Sequence, residues 1–490
     1  MRQSGILLHI TSLPGAEGIG TMGAYARRFV DFLHESGCSI WQMLPVGPTG
    51  YGNSPYQSPS AFAGNPLLID LTQLEEDGLL EKGSVKPHEE SGLVDYAAVI
   101  AEKEALLSKS FAYGYKKVEK EAAAFAAAHA WVRPYAQHQA LCEQYGWFAK
   151  WPVYIRRYYI DKNEKTAAIL EKLNDRVLYH TYVQYLFDVQ FKALKTYANS
   201  HSVQLFGDIP IYAAPGSADV WMNPTLFQMD EDISPTRVAG VPPDYFSADG
   251  QLWGNPLYNW KKMAKEHYGW WLDRLQAMGE RFDLLRIDHF IGFANYYSVS
   301  ASAKTAKNGY WVKNDGRALF TAVKKNLPQL SIIAEDLGAV NARVRRLLKF
   351  CGYPGMKVLV FGFSDGDDNP HRPKYITKNS VVYTGTHDND TAVGWFARVD
   401  EEERACARQL LHLTDDKKIA EALIEAAFSS KANRAIIPMQ DLLSLDNSAR
   451  MNLPGTVGGT NWCYRMREND LSEALAARLK KLNIQYGRNV

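Results

Sequence analysis

Eight short runs of apolar and β-branched residues recur along the chain, and most end in a polar or charged side chain. They are Gly5–Leu13, Ser39–Pro45, Val203–Tyr212, Leu284–Phe290, Ser331–Gly338, Met356–Phe363, Ser380–Asp388 and Ala435–Leu445. Such runs, apolar on both faces, fit strands buried within a parallel sheet. Parallel neighbours need a crossover, and helical patterns between the runs supply it. Tyr25–Ser36 places Ala26, Phe29, Val30 and Leu33 on one face and stops at Gly37, a residue suited to a helix end. Asn341–Phe350 opens on a capping residue, aligns Val344, Leu347, Leu348 and Cys351, and stops at Gly352. The pattern predicts an α/β chain folded as a (β/α)₈ TIM barrel. An open doubly wound sheet fits the same local signals, because local pattern does not report closure.

The runs are unevenly spaced. Residues 66–200, between the second and third runs, are mainly helical in pattern and read as an insertion after strand 2. Residues 213–280 read as a second insertion, after strand 3, and hold the turn-rich segment Gly240-Val241-Pro242-Pro243-Asp244. Long loops on a barrel tend to build its functional face. The expectation is one catalytic barrel over residues 1–490, with large helical and loop insertions between its strands.

Composition narrows the partners. Lysine and arginine number 55 against 54 acidic residues, so no basic surface is forced, and neither nucleic acid nor a membrane is an expected partner. The chain starts Met1-Arg2-Gln3-Ser4 without a signal-peptide pattern, and no apolar run reaches membrane-spanning length. Five cysteines without a CxxC pair suit a reducing compartment. The cytoplasm is therefore the expected location. Neither an HExxH motif nor a phosphate-binding glycine loop is present, and the acidic turn at residues 365–369 lacks the spacing of a calcium loop. No metal or cofactor is expected.

Acidic side chains stand at four of the strand ends: Asp208, Asp288, Glu335 and Asp388. The C-terminal ends of barrel strands face one mouth, so residues far apart in sequence converge there. Alternation puts Arg286 and Asp288 on one face of their strand. A guanidinium beside Asp288 would keep it ionised, as a nucleophile requires; a structural ion pair has the same signature. Glu335 in a dry pocket near another carboxylate would hold its proton, as a general acid requires, with Asp336 as the competing candidate. His387 and Asp388 suit hydroxyl binding, or a polar turn in which Asp390 takes part. Paired carboxylates of this kind serve retaining glycoside chemistry, in which water or a sugar hydroxyl discharges a covalent intermediate. Aromatic residues, 12% of the chain, provide faces for sugar rings as well as core.

Long segments carry a closer likeness. They are GILLHITSLPG, WQMLPVGPTGYGNSPYQSPSAFAGNP, GDIPIYAA, VAGVPPDYFSADGQLWGNPLYNW, LLRIDHFIGF, IIAEDLG, VVYTGTHDNDT and MNLPGTVGGTNWCYR. Over nearly its whole length the chain resembles the 4-α-glucanotransferase (amylomaltase or disproportionating enzyme) family, glycoside hydrolase family 77 of the α-amylase clan. The resemblance implies transfer of an α-1,4-glucan segment to the 4-hydroxyl of glucose or a maltooligosaccharide. It implies maltooligosaccharides, amylose or other α-1,4-glucans and glucose as partners. It implies Asp288 as nucleophile, Glu335 as acid/base and Asp388 as a third, hydroxyl-binding carboxylate. Tyr56, Asp208, Arg286 and His387 would line the subsite of the attacked glucose, with Tyr56 stacked on its ring. Tyr245, Phe246, Gln251 and Trp253 would cover the acceptor side. Ser54 and Asn461 would add contacts, and Tyr51 and Tyr96 would form a second glucan-binding site. The closing motif Gly459-Thr460-Asn461-Trp462 departs from the tighter Gly-Asn-Trp run of the family pattern, which bears on Asn461.

Overall fold

The computed structural model describes residues 2–88, 92–243, 248–338, 340–364 and 366–488. Its strands are β1 Gln3–Leu7, β2 Ile40–Gln42, β3 Gln204–Ile209, β4 Arg237–Val241, β5 Gln251–Pro256, β6 Leu284–Ile287, β7 Asn295–Ser300, β8 Tyr310–Lys313, β9 Ser331–Ala334, β10 Gly355–Val358, β11 Ser380–Tyr383 and β12 Arg434–Pro438. Eight of them close into a barrel in the order β1-β12-β11-β10-β9-β6-β3-β2. Every pairing in it is parallel, and β1 completes the ring by pairing with both β12 and β2. The barrel, not the open sheet, is therefore the fold. Each of the eight apolar runs supplies one strand. The strands are shorter than the runs, each of which extends past the end of its strand. At Gly5 a Cβ would lie 2.4 Å from the Ile40 carbonyl oxygen, so the β1–β2 seam closes only over a residue without a side chain.

The predicted helices form where their caps place them. Ala24–Glu35 buries Ala26, Phe29, Val30 and Leu33 against the barrel, with Phe29 edge-on to Trp41 of β2. Ala342–Cys351 begins where the Asn341 side chain accepts from the Arg343 and Val344 N–H groups, and it ends at Gly352 in the left-handed conformation.

Between β2 and β3 the chain is helical, and its longest helix, Asn174–Ser200, packs back onto the barrel. Two buried glutamines on that helix clamp the segment that follows β2. Gln184 exchanges two hydrogen bonds with the backbone of Gly64, at 2.8 and 2.9 Å. Gln190 does the same with Asp70, at 2.7 and 2.9 Å. The buried Lys103, on helix Tyr96–Gly114, pairs with Glu17 of the loop after β1.

A second, antiparallel sheet of order β5-β4-β7-β8 stands beside the barrel mouth. Two of its strands come from the insertion after β3. The other two come from the connection between β6 and β9, where the sequence pattern suggested no separate element. This sheet carries Gln251 and Trp253 on β5.

Candidate active site

Strand register brings the first group together. Asp208 on β3 lies opposite Arg286 on β6, and β6 in turn pairs with β9 so that Ile287 lies opposite Ala334, the residue before Glu335. Arg286 forks between two carboxylates, 2.5 Å from Asp208 Oδ2 through Nη1 and 2.8 Å from Asp288 Oδ1 through Nη2. The Asp208 side chain is fully buried, while that of Asp288 keeps 29% exposure toward the mouth. Burial alone would lower the Arg286 pKa; Asp208 and Asp288 reverse this and hold it well above its usual value. The guanidinium is thus a fixed charge beside Asp288.

The backbone sets the second carboxyl. The Asp288 N–H donates to the Ile209 carbonyl and the Glu335 N–H to the Ile287 carbonyl, both at 3.0 Å, so both residues continue the barrel ladder. His289, next after Asp288, takes the left-handed conformation at φ 47°, a costly one for a residue with a side chain. That turn aims its N–H at Glu335 Oε2, 2.7 Å away, while Glu335 Oε1 accepts from Leu337 N–H at 2.7 Å. Burial, and then the Asp288 charge, push the Glu335 carboxyl up to about 7. Asp336 points elsewhere: its carboxylate accepts from the Met356 N–H of β10 at 2.7 Å. Of the two adjacent acids, Glu335 is the one that feels Asp288.

The third group sits on loops. Asp388 lies beyond the end of β11 and keeps 44% side-chain exposure. Its Oδ1 accepts from Asn452 Nδ2 at 2.6 Å and lies 3.4 Å from His387 Nε2. Asp390 is instead buried between Arg450 and Arg398. The Tyr56 hydroxyl donates to Asp208 Oδ2 at 2.7 Å, and its ring stacks on His387, centroids 5.2 Å apart and 8° from parallel. Trp462 closes this cluster, 5.8 Å from Tyr56 and 6.1 Å from His387. His9 is buried as well, and burial lowers its pKa to about 3, so it remains neutral beside His387.

The other expected residues divide. Trp253 meets His289 edge-on at 4.8 Å and donates to Gln251 Oε1 at 3.2 Å, which brings β5 over the residue that follows Asp288. Tyr245 and Phe246 lie outside the described residues. The Ser54 hydroxyl oxygen accepts from the Tyr56 N–H at 3.3 Å and caps the turn that presents Tyr56. Asn461 spends its amide on its own loop, accepting from Leu453 N–H at 2.9 Å and donating to Thr456 Oγ1 at 2.9 Å. Tyr96 corrects an expectation: it is 5% exposed and donates to the Trp462 carbonyl, so it presents no face to a glucan, whereas Tyr51 is 69% exposed. Asn452, Trp462 and His9 were not singled out from the sequence. The quoted segments contain them, but nothing in residue spacing shows that their loops fold onto Asp388 and Tyr56.

Among the described residues no cluster of three or more His, Cys, Asp or Glu is placed to hold a metal ion. No helix among them is long and apolar enough to cross a membrane.

With this geometry in view, the comparisons are consistent with one another. The chain is 43% identical over 499 residues to a 4-alpha-glucanotransferase of Streptococcus pneumoniae, covering 99% of this chain and 97% of that one. It is 43% identical over 497 residues to a 4-alpha-glucanotransferase of Thermus thermophilus, covering 98% of each. The solved structure of an amylomaltase from Streptococcus agalactiae in complex with acarbose superposes over the full length of both chains, with a TM-score of 0.96 at 39% identity. A family model described as 4-alpha-glucanotransferase, glycoside hydrolase family 77, matches residues 8–471. The chain belongs to glycoside hydrolase family 77, the 4-α-glucanotransferases.

Proposed function

We propose that this protein moves a segment of an α-1,4-glucan onto the 4-hydroxyl of glucose or a maltooligosaccharide, by double displacement with retention and a covalent glucosyl-enzyme intermediate. The observation that carries this reading is the placement of the buried Glu335, its carboxyl pushed up to about 7, against the N–H of the residue that follows the Arg286-paired Asp288. Asp288 attacks the anomeric carbon while Glu335 protonates the leaving oxygen. In the second step Glu335 takes the proton of the acceptor hydroxyl as that oxygen displaces Asp288. Asp388 and His387 bind hydroxyls of the distorted ring, an interaction that strengthens in the transition state. Tyr56, with Asp208 and Arg286, forms the floor against that ring. Gln251 and Trp253, with Tyr245 and Phe246, form the acceptor side, where excluding water favours transfer over hydrolysis. The five free cysteines accord with work in the cytoplasm.

Incubation with maltotriose tests the reading. Longer oligosaccharides together with glucose are the expected products, and an α-configured product by NMR at early times is the expected stereochemistry. A rise in reducing ends without chain lengthening would assign hydrolysis instead, and a β-anomer would overturn the double displacement.

A further inference from the structure

Three of the four rim carboxylates are carried by or directly follow a barrel strand, but Asp388 is not; it sits on a turn past the end of β11. Some other element has to hold it. Arg450 reaches that turn with its whole guanidinium. Nη2 donates to the Asp388 carbonyl at 2.6 Å, Nε donates to the Asn452 carbonyl at 2.7 Å, and Nη1 pairs with Asp390. The Arg450 side chain is 15% exposed and that of Asp390 is 3% exposed. The Asn452 N–H in turn donates to the His387 carbonyl at 3.1 Å, and its side-chain amide donates to Asp388 Oδ1.

We infer that Arg450 is a positioning residue: it ties the turn carrying His387 and Asp388 to the segment carrying Asn452, and so sets where the Asp388 carboxylate meets the sugar. The inference rests on the reading of Asp388 as the third carboxylate. The donors of a guanidinium are rigid and diverge in one plane, which suits two carbonyls and a carboxylate on different sides. Lysine supplies the charge but not that geometry. A misplacement of about 1 Å in such a group costs on the order of 100-fold in rate. Because Asp388 acts more on the transition state than on the bound substrate, the loss falls on kcat more than on KM.

The test is a mutant cycle on maltotriose disproportionation with Arg450→Ala, Arg450→Lys, Asp388→Asn and the double variant Arg450→Ala/Asp388→Asn. Arg450→Ala is expected to lower kcat by roughly 30- to 100-fold with KM changed less than about threefold. Arg450→Lys recovers little of it, and added guanidinium ion at millimolar concentration restores part of the Arg450→Ala rate. In the Asp388→Asn background the Arg450→Ala change is expected to cost less than about threefold, because the group it positions is already disabled. Near-normal kcat in Arg450→Ala, or the same fold loss in both backgrounds, would overturn the inference. If Arg450→Ala does not fold, Arg450→Lys takes its place in the cycle with the same criteria. Near-normal activity of Asp388→Asn alone would instead overturn the third-carboxylate reading.

Discussion

The two sides of this site are held by different physics. Asp208, Arg286, Asp288 and Glu335 ride on β3, β6 and β9, where ladder bonds to neighbouring strands set their positions and Arg286 links two of the three carboxylates. Asp388, Asn452, Trp462 and the tip of β5 ride on loops and a small antiparallel sheet, joined by side-chain bonds. The pair proposed to break the bond sits where the backbone has least freedom. The groups proposed to read sugar hydroxyls and the acceptor sit where loops can adjust to a polymer.

Substitutions can break or sharpen this contrast. The largest effect is expected from Asp288→Asn in the strand-held half: a fall in kcat of about 10⁴-fold or more with an unchanged circular dichroism spectrum. Residual activity within tenfold of the parent would remove Asp288 as nucleophile. Asp208→Ala in the same half acts on folding as well, since it leaves the buried Arg286 with one partner. A loss of about 3 kcal/mol is expected, read as a lower denaturant midpoint.

Glu335 gives the strand-held half a pH signature. Its carboxyl is raised to about 7 against an ordinary value of 4.5, through burial and then Asp288. The acid form is lost as pH rises through about 7, so the proposed first step is expected to slow on the alkaline side. Between the two values the folded chain holds a proton that the unfolded chain has released. Stability is therefore fullest below 4.5 and declines as pH rises toward 7. Glu335→Gln is expected to remove that slope and to gain about 1 to 3 kcal/mol above pH 7, while sparing the first step only for substrates with good leaving groups. Denaturation midpoints at pH 5 and 8 check it; equal slopes for parent and variant would contradict the shift.

The smallest effect belongs to the loop-held half. Trp253→Ala forfeits the ring contact with His289, about 1 kcal/mol, and is expected to move the partition between transfer and hydrolysis roughly fivefold toward water. The denaturant midpoint should fall only slightly, by the equivalent of about 1 kcal/mol. An unaltered glucose-to-oligosaccharide ratio would place the acceptor side elsewhere.

The same contrast explains what the sequence discloses. Barrel strands buried on both faces leave continuous apolar runs, and all eight were legible. So were the helices with Asn341, Gly37 and Gly352 at their ends, and the acids at the strand ends. Closure was not, because it depends on β1 meeting β12 across the whole chain. Neither was the antiparallel sheet, whose strands are short, partly exposed and drawn from two separate connections. Glu335 and Asp336 are neighbours pointing to opposite sides; alternation says that one faces in, but not which. Tyr96 and Asn461 sit in segments whose motifs are plain and whose burial and loop bonds are not.

The glutamine clamps on helix Asn174–Ser200 bear on how such a protein can be re-engineered. Gln184 and Gln190 satisfy backbone groups of Gly64 and Asp70, downstream of Tyr56 on the same connection. Cutting out that helix would strand those N–H and carbonyl groups and untether the connection that delivers Tyr56. The insertion is consequently not a cassette to be trimmed or exchanged between scaffolds. A minimal barrel would have to replace both clamps to keep Tyr56 where it stands.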